Sequence, residues 1–205
     1  MTPEQVAELL GKPTFVDDPL MKRRKAGVVM GLAWTSLGGA TLYIEAIRIP
    51  GERGIKLTGQ LGEVMVESSH IAYSLVSANA KRFGIDASLF EKGTIHLHVP
   101  AGATKKDGPS AGITMATALI SLALNRKPPA RLAMTGELTL TGRVLPVGGI
   151  KEKVIAAKRS KVKRVILPAA NEKDFEEIPE RVKRGITARF VEDFQDVFKL
   201  VFEEM

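Results

Sequence analysis

The sequence predicts a single α/β (α+β) domain of small mixed sheets and packed helices, preceded by a short helical leader. Runs with the alternation of strands take turns with runs whose apolar residues recur every three or four positions, and no internal repeat or low-complexity stretch breaks the pattern. The composition is that of a folded chain: 44% of the 205 residues are hydrophobic and 26% charged, which leaves ample surface to bury a core.

The elements follow in order. Thr2 reads as an N-cap, Pro3 as the first helical position and Gly11 as the stop of a helix over 2–10. Pro13, Pro19 and the basic run Lys22-Arg23-Arg24-Lys25 make the following stretch a linker, so 1–25 is leader and 26–205 the domain. Apolar runs at 28–34 and 41–47 flank Leu37-Gly38-Gly39-Ala40 as a hairpin would. Leu61, Val64, Met65, Ala72, Leu75 and Val76 then recur at helical spacing until Gly84, and 94–99 alternates into a strand. The uncharged run 108–125 touches the ~18-residue lower limit of a membrane span. It opens with Gly108-Pro109-Ser110-Ala111-Gly112 and is densely apolar only over 113–124, so it reads as a buried core helix and no membrane association is expected. Short strands at 132–134, 138–140 and 144–147 are separated by Gly136 and Gly142. A helix at 151–161, a strand at 162–167, a helix at 172–177 capped by Asn171, a strand at 187–191 and a helix at 194–203 capped by Asp193 complete the chain.

Composition removes several functions. The absence of Cys excludes disulfides, thiolate metal sites and cysteine nucleophiles, and fits a reducing compartment. A single Trp and two Tyr argue against a base-stacking surface, although a net charge of +7 predicts weak attraction to polyanions, nucleic acid included. Glu4 and Glu8 within an N-terminus that lacks an apolar run exclude a secretory signal there. The one Gly-Lys pair, Gly11-Lys12, precedes Pro13, so there is no phosphate loop for ATP. His96 and His98 share a strand face but have no third ligand at a recognised spacing, so no metal is expected. Glu67, His70 and Ser74 imitate an acid–His–Ser set on one side of a rigid helix, which cannot align them; acid runs such as Glu176-Glu177 read as solvated faces.

Asp107-Gly108-Pro109-Ser110-Ala111-Gly112 is different. It sets a Ser at the start of a buried helix, where unpaired N–H groups and the positive end of the dipole would stabilise an oxyanion or a phosphate. A Ser nucleophile needs a base, and with His scarce the candidate is a Lys made neutral by burial. In Gly148-Gly149-Ile150-Lys151-Glu152-Lys153, helical spacing puts Lys153 beside Ile150, Ala156 and Ala157, whereas Lys151 shares its side with Lys158. Lys153 is therefore the buried candidate. Lys105 and Lys106 are expected to face solvent or substrate.

Three segments carry a family resemblance: Lys106-Asp107-Gly108-Pro109-Ser110-Ala111-Gly112, Met134-Thr135-Gly136-Glu137, and Gly148-Gly149-Ile150-Lys151-Glu152-Lys153. Together they resemble the motifs of the Lon protease proteolytic domain, and the separation of Ser110 from Lys153 is similar to that family's. The likeness runs from about Gly27 to the C-terminus. It implies a serine endopeptidase with a Ser–Lys dyad: Ser110 attacks the scissile carbonyl, Lys153 takes its proton and returns it to the leaving amine, and Thr135 holds the Lys side chain. It further implies an oxyanion hole from the N–H groups around Ser110 with backbone near Asp107, and supporting positions for Asp107 and Glu137. His96 and His98 would be structural.

By the same resemblance, ATP and Mg belong to an ATPase module absent from this chain, whose last helix 1–25 resembles. Unfolded or damaged polypeptides would be the substrates, a homohexamer the assembly, protein quality control under stress the role, and the bacterial cytosol the setting, with the mitochondrial matrix as the alternative. Two rivals remain at this stage. A phosphate-binding kinase loop would explain Gly-Pro-Ser at a helix start but leaves Lys153 on an apolar face unexplained. A non-catalytic basic module would use the run 151–164, half of which is the proposed dyad helix.

Overall fold

A computed structural model describes residues 25–35, 38–100 and 102–203, with Thr2, Gln5, Glu8, Leu9 and Gly11 of the leader. Thr2 Oγ1 accepts from Gln5 N–H at 3.4 Å, as an N-cap does, while most of the 1–25 leader and linker lies outside the described residues.

Strands β1 (Val28–Thr35) and β2 (Gly38–Ile49) form the expected hairpin, with Val28 opposite Glu45 and Thr35 opposite Gly38. After β3 (Gly54–Thr58) come helix α1 (Glu63–Ala78), the short α2 (Ser88–Glu91) and β4 (Thr94–His98). Helix α3 (Gly112–Ala123) leads to β5 (Leu132–Met134) and to a small ribbon of β6 (Glu137–Leu138) and β7 (Val144–Leu145). Helix α4 (Ile150–Arg159), β8 (Arg164–Pro168), the short α5 (Glu172–Glu176) and α6 (Glu180–Lys183), β9 (Thr187–Val191) and α7 (Phe194–Phe202) follow.

Seven strands join in one mixed sheet in the order β3-β4-β2-β1-β5-β8-β9. Pairs β1/β2 and β2/β4 are antiparallel and the other four parallel, which gives the α/β class the alternation predicts. The central strands read as continuous apolar runs because they are covered on both faces. Val29, Ile44, Ala46 and Ile166 point into one core with α1, α3 and α7; Met30, Leu32, Tyr43 and Val165 point into a second with α4. Helix α3 is buried over most of its length, and its hydroxyls are satisfied inside, Thr117 on Ile113 O at 2.7 Å and Ser121 on Arg126 O at 2.6 Å. Among the described residues no helix is long and apolar enough to cross a membrane.

Several boundaries differ from expectation. Strands β6 and β7 are two residues each because Thr139 N–H closes on Arg143 O and turns the ribbon early. Helix α6, which Pro179 opens, was not expected: four residues are too few to show a helical period. Val64 is 44% exposed on the open side of α1, outside the core stripe expected of it. Asp193 does cap α7, accepting from Gln195 N–H at 2.9 Å. Asn171 stands at the N-cap position of α5 without making a cap bond, and its amide is used elsewhere.

Candidate active site

Open sheets with parallel strands bind at their carboxyl ends, because loops diverge there. Ser110 lies in a 3-10 turn, Pro109–Ala111, that follows β4 and runs into α3. The turn is held from two sides. From α1, Met65 N–H donates to Asp107 Oδ1 at 3.0 Å and Ser68 Oγ to Pro109 O at 3.3 Å. From the turn after β5, Gly136 N–H donates to Ser110 O at 2.9 Å, while Ile113 N–H donates back to Gly136 O at 3.2 Å. The Gly108 N–H is taken by the Asp107 carboxylate at 2.9 Å. The Ser110 N–H appears in no hydrogen bond outside the turn among the described residues, so it stands at a helix start as a donor an oxyanion could use.

Lys153 reaches this turn from the other core. It sits in the first turn of α4, its N–H on Gly149 O at 2.9 Å, with Ile150, Ala156 and Ala157 buried around it as the spacing predicts and Lys151 exposed. The Lys153 side chain is 2% exposed, and burial alone brings its amine from 10.5 down to about 8. Its Nζ donates to Thr135 Oγ1 at 3.0 Å, and Thr135 Oγ1 donates to Ser110 O at 3.1 Å. Thr135 is fully buried and joins the candidate base to the backbone of the candidate nucleophile. Ser110 Oγ makes no hydrogen bond among the described residues, so contact with Lys153 Nζ awaits a side-chain movement or a substrate, as is common in unliganded sites.

Two glycines let α4 come this close. A Cβ on Gly39 would lie 1.9 Å from Glu152 O, so the hairpin end presses backbone to backbone on the first turn of α4. Gly149, with φ +71°, precedes the helix, and a Cβ there would meet Trp34 at 2.7 Å. Trp34 itself is 60% exposed beside the entry to α4.

The remaining candidates divide. Asp107 is engaged as an acceptor at the start of α1, and Glu137 is the half-buried first residue of β6, opposite Leu145. Neither carboxylate bonds to Ser110 or Lys153 among the described residues. Lys105 is exposed; Lys106 is half-buried, its Nζ donating to Gly59 O at 2.7 Å and to Thr104 O at 2.8 Å, and burial lowers its amine. His96 Nε2 and His98 Nδ1 share Thr58 Oγ1, at 2.9 and 2.7 Å, a closed polar cluster between β3 and β4. Burial, then Lys56 and His98, hold His96 below its usual value. Among the described residues no group of three or more His, Asp or Glu could hold a metal, and Glu67, His70 and Ser74 lie exposed on α1. Two surface cavities of about 300 Å³ each lie away from Ser110 and Lys153.

Residues 1–204 match the Lon protease (S16) C-terminal proteolytic domain. The chain belongs to that family. It is 53% identical over 203 residues to the Lon protease of Protochlamydia amoebophila, covering 98% of this chain and 24% of that protein. With Lon protease 1 of Syntrophotalea carbinolica the identity is 55% over 200 residues, 97% of this chain and 24% of that one. With the mitochondrial Lon protease homolog 1 of Arabidopsis thaliana it is 50% over 200 residues, 96% of this chain and 21% of that one. The chain thus spans about a quarter of the length of the Lon proteases it matches.

Within this Lon-family domain, the residues singled out by sequence, Ser110, Thr135 and Lys153, come together from three elements. Asn171 is the neighbour that sequence reading assigned elsewhere. It is 4% exposed; its Oδ1 accepts from Val147 N–H at 2.9 Å and its Nδ2 donates to Val147 O at 3.0 Å and Asp174 Oδ2 at 2.6 Å. The only local signal was an Asn before an acidic helical turn, which reads as a cap.

Proposed function

We propose that the chain is a serine endopeptidase domain in which Ser110 is the nucleophile and Lys153 the general base. The observation that carries this reading is the buried Lys153 amine, brought to about 8 and linked through Thr135 to Ser110. An ammonium held near 8 loses its proton at modest cost, which is what a base for a Ser hydroxyl requires. Ser110 Oγ attacks the scissile carbonyl as its proton passes to Lys153 Nζ. The N–H groups around Ser110, with backbone near Asp107, receive the developing oxyanion; Lys153 then protonates the leaving amine, and water releases the acyl group from Ser110 by the same route.

The substrates of this reading are unfolded or damaged polypeptides, the class the family resemblance implies. The reading also takes over the homohexamer and the cytoplasmic setting as proposals. A serine-reactive fluorophosphonate with mass mapping tests the core of it. Labelling should fall on Ser110, and Ser110→Ala should abolish cleavage of an unstructured polypeptide. Lys153→Ala and Lys153→Arg should lose labelling and turnover together, since guanidinium stays protonated, while Lys151→Ala keeps both. The rate should rise through about pH 8 as the Lys153 amine loses its proton. Full activity in Lys153→Arg would overturn the dyad.

A further inference from the structure

Asn171 occupies a position where its residue type has an obvious use, and it does not serve that use. An Asn at an N-cap ordinarily accepts from the second or third helical N–H, a bond worth ~1 kcal/mol. Here no such bond is made to α5. The amide instead turns back across the turn that ends β8 and pairs with both backbone groups of Val147. A buried side chain that forgoes the backbone cap bond and pairs with both backbone groups of a residue 24 positions away is fixing something at the far end.

What it fixes is the entry to α4. Val147 is followed by Gly148 and Gly149, which have no side chains to anchor them, and then by the helix whose first turn carries Lys153. Strand β8, which leads into the 3-10 turn that ends at Asn171, also holds Thr135, whose N–H donates to Ile166 O at 3.1 Å. Strand β8 and its terminal turn therefore set both ends of the Lys153–Thr135 contact, one through backbone and one through the Asn171 amide.

We infer that Asn171 is a positioning residue for Lys153: by clamping Val147 it fixes where α4 begins, and so holds Lys153 Nζ against Thr135 Oγ1 in its buried place. Loosening the clamp lets the first turn of α4 fray, and water reaches the amine. The charged residues of its own helix are Lys151, Glu152, Lys158 and Arg159; those of the elements packed on it are Glu45 and Arg48 of β2, Glu172, Lys173, Asp174 and Glu176 of α5, and Glu180, Arg181 and Lys183 of α6. Burial is what lowers that amine. Hydration should therefore raise its titration midpoint toward that of an ordinary Lys.

The test reads Lys153 directly. Lysine labelled with carbon-13 at Cε is titrated by NMR in the full chain, with Lys153→Met assigning the resonance, and the pH dependence of polypeptide cleavage is measured in parallel. In Asn171→Ala the Lys153 midpoint should rise by about half a pH unit or more, and the pH of half-maximal rate should rise with it. Asp174→Ala, which leaves the Val147 clamp intact, should move neither. Val201→Ala, in the other core on α7, should lower the melting temperature without moving either. Should Asn171→Ala fail to fold, Asn171→Asp carries the test, since it keeps the acceptor for Val147 N–H but loses the donor to Val147 O. An unchanged Lys153 midpoint in the folded Asn171 variant, or an equal rise in Val201→Ala, would overturn the inference. The kinetic arm rests on the Ser110–Lys153 reading. If the wild-type rate ignores the Lys153 midpoint, that reading fails, and the NMR arm still decides the role of Asn171.

Discussion

Replacing Lys153 with Met should make the folded protein more stable at neutral pH while abolishing cleavage. The side chain is 2% exposed, and burial brings its amine from 10.5 to about 8. At ~1.4 kcal/mol per pH unit, this disfavours the charged amine in the folded state by about 3.5 kcal/mol. At pH 7 the amine is charged in both states, so the folded chain bears the whole penalty. Between about 8 and 10.5 the unfolded chain holds a proton that the folded one has released, so wild-type stability rises with pH; above 10.5 the penalty is gone. Met is unbranched, fills a similar volume and carries no charge, but forgoes a hydrogen bond to Thr135 worth ~1 kcal/mol. Urea unfolding of the two proteins should therefore differ by about 2.5 kcal/mol in favour of Lys153→Met at pH 7, and by about 1 kcal/mol in favour of wild type at pH 11. A difference that stays constant across that range would refute the reasoning, because it would show that the wild-type amine titrates alike folded and unfolded.

Thr135→Val removes both the acceptor for Lys153 and the donor to Ser110 O, so kcat should fall ~10²-fold or more with a lowered melting temperature, while Thr135→Ser restores most of the rate; steady-state kinetics on an unstructured polypeptide decide it. Gly39→Ala sets a Cβ where Glu152 O now lies at 1.9 Å, so the first turn of α4 must retreat. A loss of about 1–3 kcal/mol in stability and a parallel loss of Ser110 labelling are expected, whereas Gly102→Ala, which meets nothing within 4 Å, should change neither.

Local signals explain what could be read in advance. Lys153 was distinguishable from Lys151 because burial on a helix follows from neighbours three and four positions away, and Ile150, Ala156 and Ala157 supply them. Strands β5 and β9 were legible to the residue, bounded as they are by turn residues and rich in apolar or β-branched side chains. Strand β3 was not. Gly54–Thr58 carries two apolar residues and a Lys, and it becomes a strand only through a parallel ladder with β4, forty residues along the chain. Thr135 entered through family resemblance alone, since both of its hydrogen bonds cross between elements. Asn171 was misread for the same reason: its local pattern is a helix cap, and the competing partner, Val147, lies in another loop.

The two residues of the proposed dyad belong to opposite sides of the sheet. Ala111 and Ile113, which flank Ser110, pack in the core that α7 closes, while Ile150 and Val154, which flank Lys153, pack in the other. A chain with only one side docked holds a serine without a base or a lysine still in water, and either is inert toward peptide bonds. The dyad of this reading therefore depends on both cores being packed, and the sheet between them is the part that joins a nucleophile from one side to a base from the other.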